Sequence, residues 1–259
     1  MSNFTNVLSS SYDEKFFTTQ VNLYKDMLEQ TGVFVLPQFL SAQATRNLQK
    51  EAADLKPKAF QSSAEYNVYV LPQDPDFESD SPRNRLFQTT KLCVPDDLIP
   101  ADSCLRGIYD SLLFRSFMAQ VVGVDQLYPY SDPLSSININ YYGPGDALDW
   151  HFDNSDFTIT LLGKKCVQGG DFEYCTDMRY DAKGDENYDL VEDILDGKVA
   201  PERESMNAGD LMVFKGNKSL HRVAPVLEGE RILITFNFNS KPGVALSEKS
   251  RQTFFGRTQ

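Results

Sequence analysis

From residue 137 onward the chain is a series of short apolar runs separated by turn residues, and this pattern restricts the possible folds more than any other feature. Such runs favour β-strands, and many short strands in succession favour an all-β core. We predict an α+β fold in which helices flank a double-stranded β-helix, the jelly-roll or cupin-like arrangement of two facing sheets. The predicted strands cover residues 137–142, 157–162, 170–174, 210–215, 221–223 and 231–239.

The N-terminal half has helical periodicity instead. A helix is predicted near residues 20–30 and another over 104–120. Between them, Ser41 is a predicted N-cap of a helix that ends before Pro57. An acidic stretch over 181–201 has apolar residues at helical intervals and predicts an amphipathic surface helix.

Two further segments of this half are interpreted as strand and loop. Val33–Leu36 is apolar and predicts a strand that Pro37 ends. Residues 66–85 contain three prolines and predict a loop that covers a pocket, with a short strand over 67–71. We expect one domain over residues 1–259, with a helical part over about 1–130 and a jelly-roll core over about 131–245.

Charge and composition argue against several classes of partner. Lys and Arg number 25 against 37 Asp and Glu, a formal net charge of −12, so the chain repels phosphate backbones and anionic membranes. No apolar run has secretory or membrane-spanning length, and a cytoplasmic protein without nucleic-acid or membrane partners is expected. The 4 cysteines form no metal-binding pattern and are predicted to be free, buried thiols.

The two histidines of the chain lie in a pattern typical of a metal site. His151 and Asp153 are two positions apart, so on a strand both side chains project from the same face. His221 follows 70 positions after His151 and lies near other predicted strands. Two imidazoles and one carboxylate leave positions open on an octahedral ion, which suits non-haem iron(II). An isolated His-x-Asp pair is weak evidence, and its sequence context is what makes it specific.

That context resembles the prolyl-hydroxylase-like branch of the 2-oxoglutarate oxygenases in order and spacing: residues 142–153, the Gly-Gly-Asp-Phe segment at 169–172, residues 207–214, His221 and Arg231. The resemblance implies iron(II) held by the triad, with 2-oxoglutarate and O2 as cosubstrates. It also implies that Arg231, ten residues after His221, binds the distal carboxylate of 2-oxoglutarate through two parallel hydrogen bonds. Tyr142 is expected near the cosubstrate, and a purely structural core tyrosine fits that position equally well.

Residues 134–257 resemble, more narrowly, the compact amino-acid halogenase and hydroxylase family that includes free-lysine chlorinases. In those chlorinases a glycine replaces the carboxylate ligand and frees a site for chloride, whereas this chain has Asp153. The resemblance therefore implies hydroxylation of a C–H bond, through a ferryl-oxo intermediate, in a free amino acid or a related small molecule.

A free amino acid carries two charges that a dry pocket must pair. By analogy of position with the lysine enzymes, Arg83 or Arg85 is a candidate for the α-carboxylate and Asp132 for an ammonium group. Asn237 and Asn239 are candidates for neutral hydrogen bonds. Each of these five residues is equally consistent with an ordinary surface or turn position.

Two other functions are considered beside hydroxylation. An oxidative cyclase or desaturase of an N-substituted amino acid, as in the algal kainoid synthases, would need the same metal site, so this alternative stays open beside hydroxylation. A jelly-roll protein that only binds a ligand would not need Asp153, His221 and Arg231 together, and these residues argue against it.

Overall fold

The computed structural model describes residues 7–259, so the first six residues of the predicted domain lie outside the described part. No helix in residues 7–259 is long and apolar enough to cross a membrane. The helices whose bounds lie within those residues are α1 (Glu14–Thr19), α2 (Val21–Thr31), α3 (Ala42–Leu55), α4 (Cys104–Tyr109), α5 (Leu112–Val122), α6 (Tyr188–Leu195) and α7 (Glu248–Phe255).

Capping explains where the predicted helices begin and end. The Ser41 hydroxyl accepts a hydrogen bond from the Ala44 amide at 3.2 Å and caps α3, as predicted. The single helix predicted over 104–120 is wrong, because the chain forms α4 and α5 there. Ser111 is the cause: its hydroxyl accepts from the Phe114 amide at 3.3 Å and starts a new helix. In α6 the apolar residues Val191 and Ile194 are buried, which fits an amphipathic helix shorter than predicted.

The strands form two main antiparallel sheets and one small pair. The large sheet has the order β1-β10-β6-β13-β4-β3-β2, the second sheet has the order β5-β11-β8-β9, and β7 pairs with β12. The strands are β1 (Val33–Leu36), β2 (Phe60–Tyr66), β3 (Phe87–Val94), β4 (Ile137–Tyr142), β5 (Leu148–His151), β6 (Thr158–Lys164), β7 (Gln168–Gly169), β8 (Phe172–Cys175), β9 (Glu202–Glu204), β10 (Leu211–Phe214), β11 (Leu220–Val223), β12 (Val226–Glu228) and β13 (Arg231–Phe236).

The strand predicted over 67–71 is wrong, because the strand in this region is β2 and it ends at Tyr66. The side chain of Asn67 turns the backbone instead: its oxygen accepts from the Tyr69 and Leu71 amides at 3.1 and 3.2 Å. Its amide nitrogen donates to the Leu71 carbonyl at 2.7 Å. An asparagine that bonds its own downstream backbone favours a turn over a strand. The rest of the segment up to β3 is loop, as expected.

The two faces of the large sheet have different environments, and this difference creates the cavity. On β4, Ile139 and Tyr141 join a core that includes Leu48 of α3 and Phe117 of α5. The alternate residues of β4 point the other way, toward the second sheet, because successive side chains of a strand face opposite sides. Helices therefore cover one face, and the space between the two sheets is left for a site.

All four cysteines are free thiols, as predicted, and Cys93, Cys166 and Cys175 are buried.

Candidate active site

The second sheet brings the two histidines together. Strands β5 and β11 are antiparallel neighbours, and His151 is paired directly with His221. Their ring centroids are 4.2 Å apart. The Nε2 atoms of His151 and His221 lie 3.4 and 3.6 Å from the same oxygen, Oδ1 of Asp153. The ligand atoms of the three residues all lie within 4.8 Å of one another, so the triad predicted from the sequence is assembled.

Backbone carbonyls orient both imidazoles. Nδ1 of His151 lies 2.7 Å from the Asp149 carbonyl oxygen, and Nδ1 of His221 lies 2.9 Å from that of Ser219. A carbonyl oxygen only accepts, so each Nδ1 carries the proton and each Nε2 presents its lone pair to the centre of the triad. This is the arrangement that a metal-binding histidine requires.

Asp153 reaches the triad by a route that the sequence did not predict. Strand β5 ends at His151, so Asp153 lies beyond the strand and not on it. Its amide donates to the Gly216 carbonyl at 2.9 Å, and its second oxygen, Oδ2, accepts from the Thr158 hydroxyl at 2.5 Å. A Cβ on Gly216 would overlap the carboxylate. Glycine at 216 therefore makes room for Asp153, and Thr158 fixes which oxygen faces the histidines.

The protonation states suit a divalent cation. Burial and the neighbouring His221 lower the pKa of His151, which keeps its imidazole neutral. Burial alone would raise the pKa of Asp153, but His221 and His151 outweigh this effect and hold it well below its usual range. An ionised carboxylate and a neutral imidazole are the forms that bind iron(II), so the donor set fits that ion.

Arg231 is a buried cation that needs an anion. Arg231 is 4% exposed, and it forms no salt bridge with any residue in the described part of the chain. Its Nη1 atom is buried without a hydrogen-bond partner. The guanidinium lies 5.8 Å from the ring of Tyr142, which pairs with Arg231 across β4 and β13. An unpaired buried charge is costly, so the residues fit a carboxylate ligand such as that of 2-oxoglutarate.

The triad and Arg231 line one cavity of about 260 Å³ between the two sheets. Tyr142 also lines it, as expected for a residue near the cosubstrate. The loop after β2 contributes Val70, in agreement with the prediction that this loop covers a pocket. Further polar residues that line the cavity are Tyr66, Lys91, Tyr130, Ser135, Asn138, Asn140, Asn154, Ser155, Thr158, Thr160, Thr235 and Asn237.

The two arginines predicted to bind substrate do not line this cavity. Arg83 donates to the Pro72 carbonyl at 2.7 Å and lies 3.8 Å from the Asp74 carboxylate. Arg85 forms an ion pair with Asp196 at 2.9 Å. Both side chains therefore stabilise the loop in which they occur, and analogy of position alone did not reveal these partners.

The carboxylate of Asp132 also has partners within the protein. Its Oδ1 accepts from the Leu134 amide and the Ser135 hydroxyl at 3.0 and 2.7 Å, and its Oδ2 accepts from the Leu246 amide at 2.9 Å. The carboxylate therefore ties the segment before α7 to the core and does not line the cavity. Asn237 does line it, and its side-chain amide donates to the Ser135 carbonyl at 2.7 Å.

Asn239 pairs with Tyr128 in an isolated bridge outside the cavity lining, and its Nδ2 is buried without a partner.

Sequence reasoning missed Lys91, Asn140, Thr158 and Gly216. Lys91 is on β3, a strand that was not predicted. Thr158 lies in the strand predicted over 157–162, five residues after Asp153, and that proximity was the available signal. No local pattern identifies Gly216, because only the folded chain brings it against Asp153.

Several solved structures share this fold. A 2OG-Fe(II) oxygenase family oxidoreductase from Burkholderia pseudomallei has a TM-score of 0.54 at 12% identity, over 86% of this chain and 92% of that one. A Trichoplax adhaerens prolyl hydroxylase, solved with a hypoxia inducible factor peptide, has a TM-score of 0.57 at 12% identity, over 89% and 93%. The carbocyclase SnoK from nogalamycin biosynthesis has a TM-score of 0.57 at 13% identity, over 91% and 92%.

The chain shares its fold with these structures, and its triad has a donor set that could hold iron(II). The model of the Halogenase D family matches residues 16–254, and the chain belongs to this family. A PKHD-type hydroxylase from Rhizorhabdus wittichii is 27% identical over 118 residues. That match spans 45% of this chain and 47% of the relative, so the chain spans about half the length of the curated relative it matches.

Proposed function

We propose that this protein hydroxylates a C–H bond of a free amino acid or an amino-acid-derived small molecule, with 2-oxoglutarate and O2 as cosubstrates. The observation that carries the proposal is the carboxylate of Asp153, which lies 3.4 Å from His151 and is held from behind by Thr158. A halogenase of the kind described above needs a vacancy at this position for chloride. In this chain the Asp153 carboxylate occupies that position, and the Thr158 hydroxyl and the space left by Gly216 hold it there.

The proposed jelly roll is supported by the alternation of strands between the sheets. Strands β4, β6, β10 and β13 are adjacent in the large sheet, and β5, β8, β9 and β11 form the second sheet. Consecutive strands thus cross repeatedly from one sheet to the other, which is the topology of a double-stranded β-helix. We infer one oxygenase domain, in which the helices of the N-terminal half support the large sheet from outside.

The residues of the site have separate tasks in this reaction. His151, Asp153 and His221 would hold iron(II), and Arg231 would hold the distal carboxylate of 2-oxoglutarate. When bound, iron(II) and 2-oxoglutarate would activate O2. One oxygen atom would enter the substrate and the other would enter succinate, which forms from 2-oxoglutarate with release of carbon dioxide. The chain itself orients the imidazoles through the Asp149 and Ser219 carbonyls, and three protein ligands would leave coordination positions for 2-oxoglutarate and O2.

Water exclusion is the second contribution of the chain. Apolar side chains surround the triad: the rings of Phe172 and Phe214 lie 5.7 and 4.8 Å from the ring of His221. Leu233 and Met212 line the same cavity. A dry site strengthens every electrostatic contact in it and protects reactive species from water.

The test combines binding with product analysis. Purified protein is loaded anaerobically with iron(II) and 2-oxoglutarate, and their charge-transfer absorption is recorded. Oxygen and chloride are then supplied together with a panel of free and N-substituted amino acids, and the masses of the products are determined by mass spectrometry. We expect a product heavier by one oxygen atom. A product lighter by two hydrogen atoms would favour the cyclase or desaturase, and a chlorinated product would overturn the proposal.

A further inference from the structure

The cavity contains one cation that the proposed reaction leaves unused. Lys91 lines the cavity, and its ammonium group forms no hydrogen bond or ion pair with any residue in the described range 7–259. Arg231 is the other strongly basic side chain of the lining, and the cosubstrate occupies it in the proposed function. Lys91 is therefore free to bind a second anion.

Strand register places the two cations on different strands of the large sheet. Leu92 pairs with Tyr141 across β3 and β4, and Tyr142 pairs with Arg231 across β4 and β13. Lys91, next to Leu92, therefore lies level with Tyr142, with Arg231 on the opposite side of β4. Two strand spacings separate their backbones by about 10 Å. Backbones this far apart allow the two side chains to hold separate carboxylates, and 2-oxoglutarate directs its other end to the metal.

No carboxylate is left for a cationic group of the substrate. Asp153 is the only acidic side chain among the described residues that line the cavity, and the metal requires it. Asp132, the predicted partner of an ammonium, already accepts three hydrogen bonds. A substrate ammonium that entered the cavity would meet Lys91 and the metal, both positive, without a counter-charge.

Neutral hydrogen-bonding groups complete the lining. The side-chain oxygen of Asn140 and the hydroxyl of Thr160 are buried in the cavity wall without partners. Both are on strands of the large sheet, as Lys91 is. Buried polar atoms without internal partners suit the neutral N–H and O–H groups of a ligand.

We infer that Lys91 binds a carboxylate of the substrate, and that the substrate is a net anion that carries no ammonium group: an N-acylated amino acid, acidic or neutral in its side chain, and not lysine. This inference rests on the proposed function and narrows its substrate class. It also separates this chain from the lysine-specific relatives that the sequence resembles.

The test measures binding, which does not depend on turnover. The anaerobic complex of the protein with iron(II) and 2-oxoglutarate is titrated with L-glutamate, L-glutamine, L-lysine and L-norleucine, each free and N-acetylated. The shift of the charge-transfer absorption gives a Kd for each compound. Glutamate and glutamine share their shape, as do lysine and norleucine to a close approximation, so each pair isolates a side-chain charge.

The wild type is compared with three variants. Lys91→Met removes the charge and keeps the length of the side chain, Lys91→Arg keeps the charge, and Lys58→Met alters an exposed lysine outside the cavity as a matched control. We expect the N-acetylated compounds without a side-chain ammonium to bind more tightly to the wild type than the free amino acids, and N-acetylglutamate to bind most tightly. Lys91→Met should weaken their binding about ten- to hundredfold, as loss of a hydrogen bond to a charged group predicts. Lys91→Arg should retain most of the preference, and Lys58→Met all of it.

Three results would overturn the inference. The first is lysine binding to the wild type as tightly as N-acetylglutamate, the second is an unchanged order of the panel in Lys91→Met, and the third is no binding of any member of the panel. If Lys91→Met raised the Kd of 2-oxoglutarate instead, Lys91 would belong to the cosubstrate. Failure of the proposed function itself is distinguishable, since it would appear as an absent charge-transfer complex or as a chlorinated or desaturated product, whereas the Kd values are measured without oxygen.

Discussion

The two ends of the cavity differ in how their polar side chains are held. At the metal end the protein already supplies a partner for each ligand residue: a backbone carbonyl for His151, another for His221 and a hydroxyl for Asp153. At the other end, Lys91 and the oxygen of Asn140 have no partner among the described residues. Side chains that the protein already holds by hydrogen bonds suit a ligand of fixed geometry, such as a metal ion. Side chains without a partner in the protein need hydrogen bonds or opposite charge from the bound ligand.

Removal of a fixed ligand should have the largest effect. His221→Ala deletes one of three metal-binding atoms, and we expect no charge-transfer absorption and no turnover. The far-UV circular dichroism should stay close to wild type, because the strand pairing of β11 uses the backbone. Ser219→Ala is the matched control, since it preserves the carbonyl that orients His221. Full activity of His221→Ala would exclude this residue from the metal site.

Replacement of the carboxylate should change the chemistry of the metal end. Asp153→Gly vacates a coordination position and removes a negative charge that repels chloride. We expect loss of most hydroxylation and a chloride-dependent shift in the spectrum of the anaerobic iron and 2-oxoglutarate complex. Asp153→Glu serves as a comparison that keeps the charge and misplaces it. An equally large chloride response in the wild type would show that Asp153 does not bind the metal.

Arg231 is intermediate between the two ends, because it is buried like the triad but lacks an internal partner for Nη1. Arg231→Ala should raise the 2-oxoglutarate concentration needed for half-maximal rate by about a hundredfold, since a pair of charge-assisted hydrogen bonds is lost. Arg203→Ala, a change at a mostly exposed arginine on β9, should leave it unchanged. An unaltered cosubstrate dependence in Arg231→Ala would assign the anchoring role to another cation, with Lys91 as the first candidate.

The smallest effect is expected where a ligand keeps its place but loses its support. Thr158→Val removes the hydroxyl that donates to Asp153 at 2.5 Å while preserving the shape of the side chain. Loss of such a partner typically lowers metal affinity, and we expect about a tenfold increase in the Kd of iron(II). Thr158→Ser should restore the affinity. If the valine variant bound iron(II) as tightly as the wild type, the hydrogen bond would have no positioning role.

The metal end was predictable because its signal is local and rare. The chain has two histidines, and the first is two residues from an aspartate within a run of alternating strands. The register that pairs His151 with His221 follows from the same strands. Even so, the reason given for Asp153 was incomplete, because the residue lies past the strand end and depends on Thr158 and Gly216 for its orientation.

The substrate end was not predictable, because it depends on contacts between distant segments. Asp132 was a plausible partner for an ammonium until the Leu246 amide, 114 positions away, was found to occupy one of its oxygens. Lys91 was overlooked because β3 mixes polar and apolar residues without clear alternation, and its pairing with β4 decides which side faces the cavity. Sequence spacing carries no information about either contact.

The close approach of Gly216 to Asp153 also has a consequence for how this family diverges. A side chain at 216 and a carboxylate at 153 exclude each other, so the two positions are expected to change together. A lineage that lost the aspartate would no longer be constrained to glycine at 216, and larger residues would accumulate there. Among homologues, the residue at 216 should therefore record the ancestry of position 153 even where the reaction of the modern protein is unknown.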